Sequence, residues 1–387
     1  MLEQNVMIPF LKKFDQYPFR VVINDKEHVI GQGKPEFTVH FNKNIPLKSL
    51  LTSTSLALGE AYMNKDLTID GDLYYALDHF LGQMDKFSTD QSALKKLIYT
   101  SVTKNNQKKE VQSHYDIGND FYQLWLDDTM SYSCAYFKHP DDSLYQAQVN
   151  KVDYILEKLA LQPGMSLLDI GCGWGFLLIE AAKKYGVKGT GITLSEEQYR
   201  KANARIKELH LEELVHIELM DYRDLPSYHQ TFDRIVSVGM LEHVGRDNYA
   251  LFIECAKKVL KPGGVFLLHF ISGMKENPGD AWIKKYIFPG GVIPSLREMI
   301  TCATDQNFHI LDVENLRLHY NKTLLCWQEN FNQHKDEILE MFDERFVRMW
   351  ELYLASCAAG FHNGVVELHQ ILMTNGINND LPVVRWY

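Results

Sequence analysis

LLDIGCGWGFLLIEAA, Leu167 to Ala182, carries the reading of the fold. An apolar run of strand length ends at Asp169-Ile170, Gly171, Gly173 and Gly175 make a tight turn, and an apolar helical segment follows. Glycine lets the backbone turn sharply and lets a ligand approach where a Cβ would block it. The spacing is G-x-G-x-G, not the dinucleotide pattern G-x-G-x-x-G. In an open α/β sheet, ligands bind beyond the carboxyl ends of the strands. Asp169, just before the turn, is therefore placed to hold the amino group of an amino-acid-like ligand.

The same rhythm continues on both sides. SLLDI, GTGIT, HIELM, FDRIVSV and GVFLLHF read as buried strands, and GFLLIEAAKKYG, SEEQYRKANARIKELH and DNYALFIECAKKVLKPGG read as helices between them. Such alternation predicts a parallel sheet covered by helices. Ahead of Ser113 the pattern differs. FRVVI and FTVHF alternate with turn-like NDKEH, GQGKP and NKN, and LLTSTSLALGEAYMNKDLTIDGDLYYALDHFL reads as helical turns broken by glycine and aspartate. The expected division is a small mixed α+β N-terminal domain over residues 1–90, a linker over 91–112 and an α/β domain over 113–387.

With 387 residues, 45% of them hydrophobic, the chain can build more than one core. Cys134, Cys172, Cys255, Cys302, Cys326 and Cys357 form no C-x-x-C pair, so neither a zinc pattern nor a disulfide framework is indicated, and a reducing cytoplasm fits. The first residues lack a signal-peptide apolar region, and the apolar runs are far below the ~20 residues of a membrane span. A net charge of −10 argues against a general nucleic-acid binder. The charge is uneven: residues 1–112 hold 14 Lys+Arg and 13 Asp+Glu, a net of +1, which leaves −11 for the rest. Lys86, Lys95, Lys96, Lys104, Lys108 and Lys109 against Asp90 and Glu110 give residues 86–112 a net of +4. That segment reads either as a solvated linker helix or as a patch that docks on an anionic lipid surface.

LLDIGCGWG resembles the first motif of the S-adenosylmethionine-dependent methyltransferase fold. Most members of that fold end the next strand on an acid for the ribose hydroxyls. This chain has GITLSEEQ instead, a departure shared by the cyclopropane fatty acid synthases. HYDIGNDFY at His114, TMSYSCAYF at Thr129, RIVSVGMLEHVG at Arg234, KYIFPGG at Lys285 and HYNKTL at His319 resemble the same family, and LALGEAYM at Leu56 its phospholipid-acting branch. The resemblance implies a Rossmann-like class I methyltransferase sheet with helices on both faces. It implies that Tyr132 and Ser133 meet the methionine end of S-adenosylmethionine and that Gly171 lies against it, with Asp169, Gly173 and Gly175 in the same cofactor-binding turn. Thr193, Leu194 and Gln198 would line the ribose and adenosine region, and Tyr222 and Arg223 would lie beside adenine. A homodimer and the inner membrane face as workplace are also what it implies.

The implied reaction adds a methylene across an acyl double bond. An alkene attacks the sulfonium methyl, and the ring closes once the transferred carbon loses a proton, so the site needs a proton acceptor in a slot that excludes water. Aromatic faces such as Tyr132, Tyr136, Phe137, Trp174, Phe270, Tyr286 and Tyr320 would stabilise the cation without attacking it. No side chain stands out as the base. The resemblance implies a bound bicarbonate, held by Cys134, Glu242, His269, the Ile271 backbone and Tyr320. Each residue also has a bland reading: Cys134 and the aromatics as core, His269 as a satisfied core histidine, Glu242 as a helix cap. Cys357, in another family motif, reads as packing or as a nucleophile, which a cationic route does not need. The competing functions are transfer to an amine or into a methyl branch, and a non-catalytic lipid binder. An amine would need no buried anion.

Overall fold

The computed structural model describes residues 4–83, 117–228 and 230–387. The basic segment 86–112, the linker and His114 lie outside the described residues. The chain begins α1 (Gln4–Leu11), β1 (Phe19–Ile23), β2 (Lys26–Ile30), β3 (Thr38–Phe41), α2 (Leu47–Thr52), α3 (Thr54–Met63), β4 (Leu67–Asp70), α4 (Leu73–Leu81). It continues α5 (Asn119–Trp125), α6 (Leu144–Lys158), β5 (Ser166–Ile170), α7 (Phe176–Tyr185), β6 (Lys188–Thr193), α8 (Glu196–Glu208), β7 (Val215–Leu219), β8 (Phe232–Val238), α9 (Tyr249–Val259), β9 (Leu260–Ser272). It ends α10 (Ala281–Tyr286), α11 (Leu296–Asp305), β10 (Phe308–Asn315), α12 (Arg317–Gln333), α13 (Lys335–Met341), α14 (Glu344–His362), β11 (Glu367–Asn375).

The described residues form two compact units. The first gathers residues 4–83, 278–288 and 324–365. Its sheet has the order β2-β1-β3-β4. Of the turn-like NDKEH, only Asn24 and Asp25 turn, both at positive φ, and Lys26–Ile30 pairs back on β1 as a hairpin strand. Residues distant in sequence join this unit for stated reasons. The Arg348 guanidinium of α14 lies 4.0 Å over the Tyr62 ring, and its Nε donates to the Tyr62 carbonyl at 2.7 Å. A Cβ at Gly59 would lie 2.3 Å from Trp282, so only glycine lets α10 approach α3.

The second unit holds residues 117–277, 289–323 and 366–387. Its seven strands run β10-β11-β9-β8-β5-β6-β7, all parallel except β11, which is antiparallel to both neighbours. The inner parallel strands β5, β6, β8 and β9 are buried on both faces over most of their length, which is why they read as continuous apolar runs. Alternation sorts the faces. Leu168, Ile170, Ile235, Phe266 and Leu268 pack with α9 and α11, and Leu167, Val236, Val265 and Leu267 pack with α6, α7 and α8. Asp169 and His269 take their places on the second face by the same period. The helix read over DNYALFIECAKKVLKPGG stops at Val259, and LKPGG belongs to β9, because Pro262 and the following glycines do not continue a helix.

Candidate active site

From β5 the chain crosses to β6 on one side and later returns to β8 on the other, so a crevice opens at the carboxyl ends of these strands. A cleft of about 140 Å³ occupies it. Gly171 and Gly173 line the cleft with φ of +87° and +54°, and a Cβ on Gly171 would lie 2.7 Å from Met240. Gly175 stands behind them as the N-cap of α7, at φ +79°. Asp169 lines the cleft, is 3% exposed, and its Oδ1 has no partner among the described residues. Burial pushes its carboxyl up to about 7 against the pull of Lys151. A buried acid with an unused oxygen is ready for a cationic ligand group.

Residues 129–137 form a loop strapped from three helices. Arg205 of α8 donates to the Thr129 carbonyl at 3.1 Å, and Gln148 of α6 donates to the Ser133 carbonyl at 2.9 Å. On the other side Thr323 of α12 accepts the Ala135 N–H at 3.0 Å and His319 accepts the Phe137 N–H at 3.0 Å. Tyr132 and Ser133 thereby line the cleft, and Lys151 of α6 enters it to donate to Ser133 Oγ at 3.0 Å. Burial lowers the Lys151 ammonium to about 8, opposed by Asp127, Cys134 and Asp169. A carboxyl and an ammonium side by side suit an amino-acid zwitterion.

Beyond β6, Thr193 donates to Gln198 Oε1 at 2.9 Å and accepts the Ser195 N–H at 3.2 Å, while Ser195 caps α8. Thr193, Leu194 and Gln198 line the cleft at the end of β6, which carries no acid, while Asp221 lines it beyond β7. Tyr222 lines it too, and its buried hydroxyl has no partner among the described residues. Arg223 is not part of the lining: its guanidinium clasps Asp221, Nε to Oδ1 at 2.8 Å and Nη2 to Oδ2 at 2.6 Å.

Glu242 follows β8 and His269 sits near the end of β9, paired in register with Val238. Glu242 Oε1 accepts the Ile271 N–H at 2.6 Å, so that amide is already engaged, and Oε2 has no partner among the described residues. Burial pushes this carboxyl up to about 7, against the Ile271 bond. When it is protonated, the proton sits on the unengaged Oε2, which becomes a donor. His269 is 1% exposed, and burial, then Lys151 and Lys158, hold it down to about 3, so it is neutral. Its Nε2 also has no partner among the described residues. Two buried, unengaged polar atoms at the ends of adjacent strands are costly unless a polar ligand meets them.

Cys134 is fully buried, with its thiol against the Ala135 carbonyl at 3.2 Å, and burial raises it well above the ordinary thiol range. Tyr320 lies on α12 between His319 and Thr323, the two residues that anchor the 129–137 loop, and is 8% exposed. Cys357 belongs to α14 of the first unit, where burial pushes its thiol up to about 12. Neither thiol is a thiolate at neutral pH.

Residues 102–371 match the family described as mycolic acid cyclopropane synthetase, and residues 6–92 match a domain of unknown function. The chain belongs to the cyclopropane synthase family. A cyclopropane-fatty-acyl-phospholipid synthase of Escherichia coli K12 is 40% identical over 344 residues, 87% of this chain and 88% of the relative. A probable fatty acid methyltransferase of Pseudomonas putida is 37% identical over 379 residues, 95% of each chain. A mycolic acid cyclopropane synthase crystallised with S-adenosylhomocysteine superposes with a TM-score of 0.65 at 35% identity, over 69% of this chain and 98% of that one.

The chain is an S-adenosylmethionine-dependent enzyme of that family, and its residues fit the ligand: glycines where a Cβ would intrude, an unpartnered buried Asp169, and an unpartnered Tyr222 hydroxyl. The sequence reading missed two buried lysines of α6, Lys151 and Lys158, and Gln370 of β11. The two lysines lie seven apart on a buried helix face that also carries Gln148, so periodicity alone does not mark them as interior residues.

Proposed function

We propose that this cyclopropane synthase family member transfers a methylene group onto the cis double bond of an unsaturated phospholipid acyl chain, forming a cyclopropane ring, with bicarbonate as general base. The observation that carries the reading is the pair of buried atoms, Glu242 Oε2 and His269 Nε2, that have no partner among the described residues. Both present donors when Glu242 is protonated, and a small oxyanion is the ligand chemistry they satisfy. Bound S-adenosylmethionine supplies the electrophilic methyl, and a bicarbonate held by these two residues would supply a proton acceptor. Asp169 and Lys151 hold the amino and carboxylate ends of the methionine part, and Tyr222 meets the adenosine side. Tyr320 and the Cys134 loop complete the anion site and keep it dry. With Glu242 sharing its proton, a second negative charge is accommodated without two bare anions in contact.

The substrate lies in a bilayer. Among the described residues no helix is long and apolar enough to cross a membrane. Docking through the basic segment 86–112, at the inner face of the membrane and by a homodimer, belongs to the same proposal. The supports for docking are the +4 charge of that segment and the phospholipid substrate.

The test uses purified protein, S-adenosylmethionine and vesicles of monounsaturated phospholipid, with and without bicarbonate. The acyl chains are extracted, hydrogenated mildly and weighed. A gain of one CH2 that resists hydrogenation and depends on bicarbonate is the expected result. A gain that behaves as an alkene or a methyl branch would refute ring formation, and a ring formed equally well in bicarbonate-free buffer would refute the base.

A further inference from the structure

We infer that Lys158 and Gln370 are positioning residues that lock His269 in its Nε2–H tautomer, so that it meets the anion site as a donor. The use of that donor rests on the reading of Glu242 and His269 as an anion site; the lock itself rests on geometry.

Lys158 closes α6 on the sheet and is fully buried. It is paired with Glu314, lies 3.9 Å from Asp312 Oδ2, and sits 4.3 Å over the Tyr154 ring. An ammonium held by carboxylates and a π face can only donate. It donates to Gln370 Oε1 at 2.9 Å. That contact fixes which end of the Gln370 amide is oxygen, because the opposite orientation would set two donors against each other. Gln370 stands directly across from His269 in the β9–β11 register, and its Nε2 lies 3.1 Å from His269 Nδ1. An amide nitrogen only donates, so Nδ1 must accept and carries no proton. His269 is buried and neutral, with one ring proton, which must then be on Nε2. Nε2 is the ring nitrogen with no partner among the described residues.

Without the lock the histidine has an equally neutral alternative, Nδ1–H with a lone pair on Nε2. That form would turn a lone pair toward an anion and repel it. The chain of Lys158, Gln370 and His269 thus converts one fixed charge, at the end of α6, into one fixed proton position at the end of β9.

The test is nuclear magnetic resonance of the full-length protein labelled with ring-15N histidine, His269 being assigned by its loss in His269→Gln. Pyrrole-type and pyridine-type nitrogens are well separated, so the tautomer is read on the wild-type protein. A pyrrole-type Nε2 and pyridine-type Nδ1 are expected; the reverse pattern overturns the inference whatever the fate of the bicarbonate reading. In Gln370→Glu the carboxylate accepts from both neighbours and forces the proton to Nδ1. The expected result is a switched 15N pattern and a rise of about tenfold or more in half-saturating bicarbonate, with the KM for S-adenosylmethionine little changed. A folded Gln370→Glu protein with the wild-type pattern would sink the lock. If wild-type activity proves indifferent to bicarbonate, the anion reading fails, and the 15N pattern still decides the tautomer.

Discussion

Asp169→Asn should move stability and ligand binding in opposite directions. The wild-type carboxyl is buried with one oxygen unpartnered and is raised from its ordinary value to about 7. The unfolded chain releases this proton near pH 4, whereas the fold retains it until about 7. Wild-type stability is therefore lost as pH rises through that window. Holding the carboxyl at about 7 in the fold corresponds to at most about 4 kcal/mol. The amide has no charge to desolvate, so Asn should match or exceed wild type, and its advantage should be larger at pH 8 than at pH 5 by about 2.5 kcal/mol. Binding goes the other way: losing a charge-assisted bond to a ligand ammonium costs about 1.5–3 kcal/mol, a roughly ten- to hundredfold rise in Kd. Thermal unfolding of the ligand-free proteins at the two pH values and calorimetric titration with S-adenosylmethionine check both halves. A stability difference that is flat with pH, or unchanged ligand affinity, would refute the assignment of Asp169 as a buried acid reserved for a cation.

Gly171→Ala puts a Cβ 2.7 Å from Met240 at φ +87°, so it should lose about 1–2 kcal/mol of stability and most S-adenosylmethionine affinity, read by unfolding and titration. Glu242→Gln keeps an acceptor for Ile271 and offers an N–H where the protonated Oε2 donates, so bicarbonate-dependent activity should survive in vesicle assays, whereas Glu242→Leu removes both and kcat should fall about 10²-fold or more with little change in S-adenosylmethionine KM. Cys357, pushed up to about 12, should react with iodoacetamide at pH 8 far more slowly than a free thiol, as mass spectrometry of the labelled peptide would show. Replacing the six lysines of residues 86–112 by glutamine should weaken binding to anionic vesicles in flotation assays, and binding unchanged by the replacement would remove that segment from the docking proposal.

The parallel strands and the glycine turn are legible in the sequence because each is local: an apolar run, a tight turn, a helix. Asp169 and His269 stand at the strand ends where the sequence puts them. Strands β10 and β11 are not legible in the same way. FHILDVEN alternates apolar and polar residues on a sheet edge, so it offers no continuous apolar run. The grouping of α10 and α14 with the N-terminal residues has no local signal, since it arises from contacts such as Arg348 with Tyr62 and Gly59 with Trp282. The buried lysines escape a sequence reading because lysine is ordinarily a solvent residue. Only the three-dimensional partners of Lys158 show why it is kept inside: Glu314, Gln370 and Tyr154 supply the interactions that water would otherwise provide. Arg223 is adjacent to Tyr222 in sequence, and its pairing with Asp221 is a contact that sequence spacing alone does not reveal.

The most direct measurement uses S-adenosylmethionine carrying a fully deuterated methyl group, with monounsaturated phospholipid vesicles. Transfer followed by loss of one hydron must leave a CD2 group in the acyl chain. The expected product has a ring carbon that retains two deuterons, with no CD3 product. An acyl chain that retains all three deuterons as a methyl branch would contradict it.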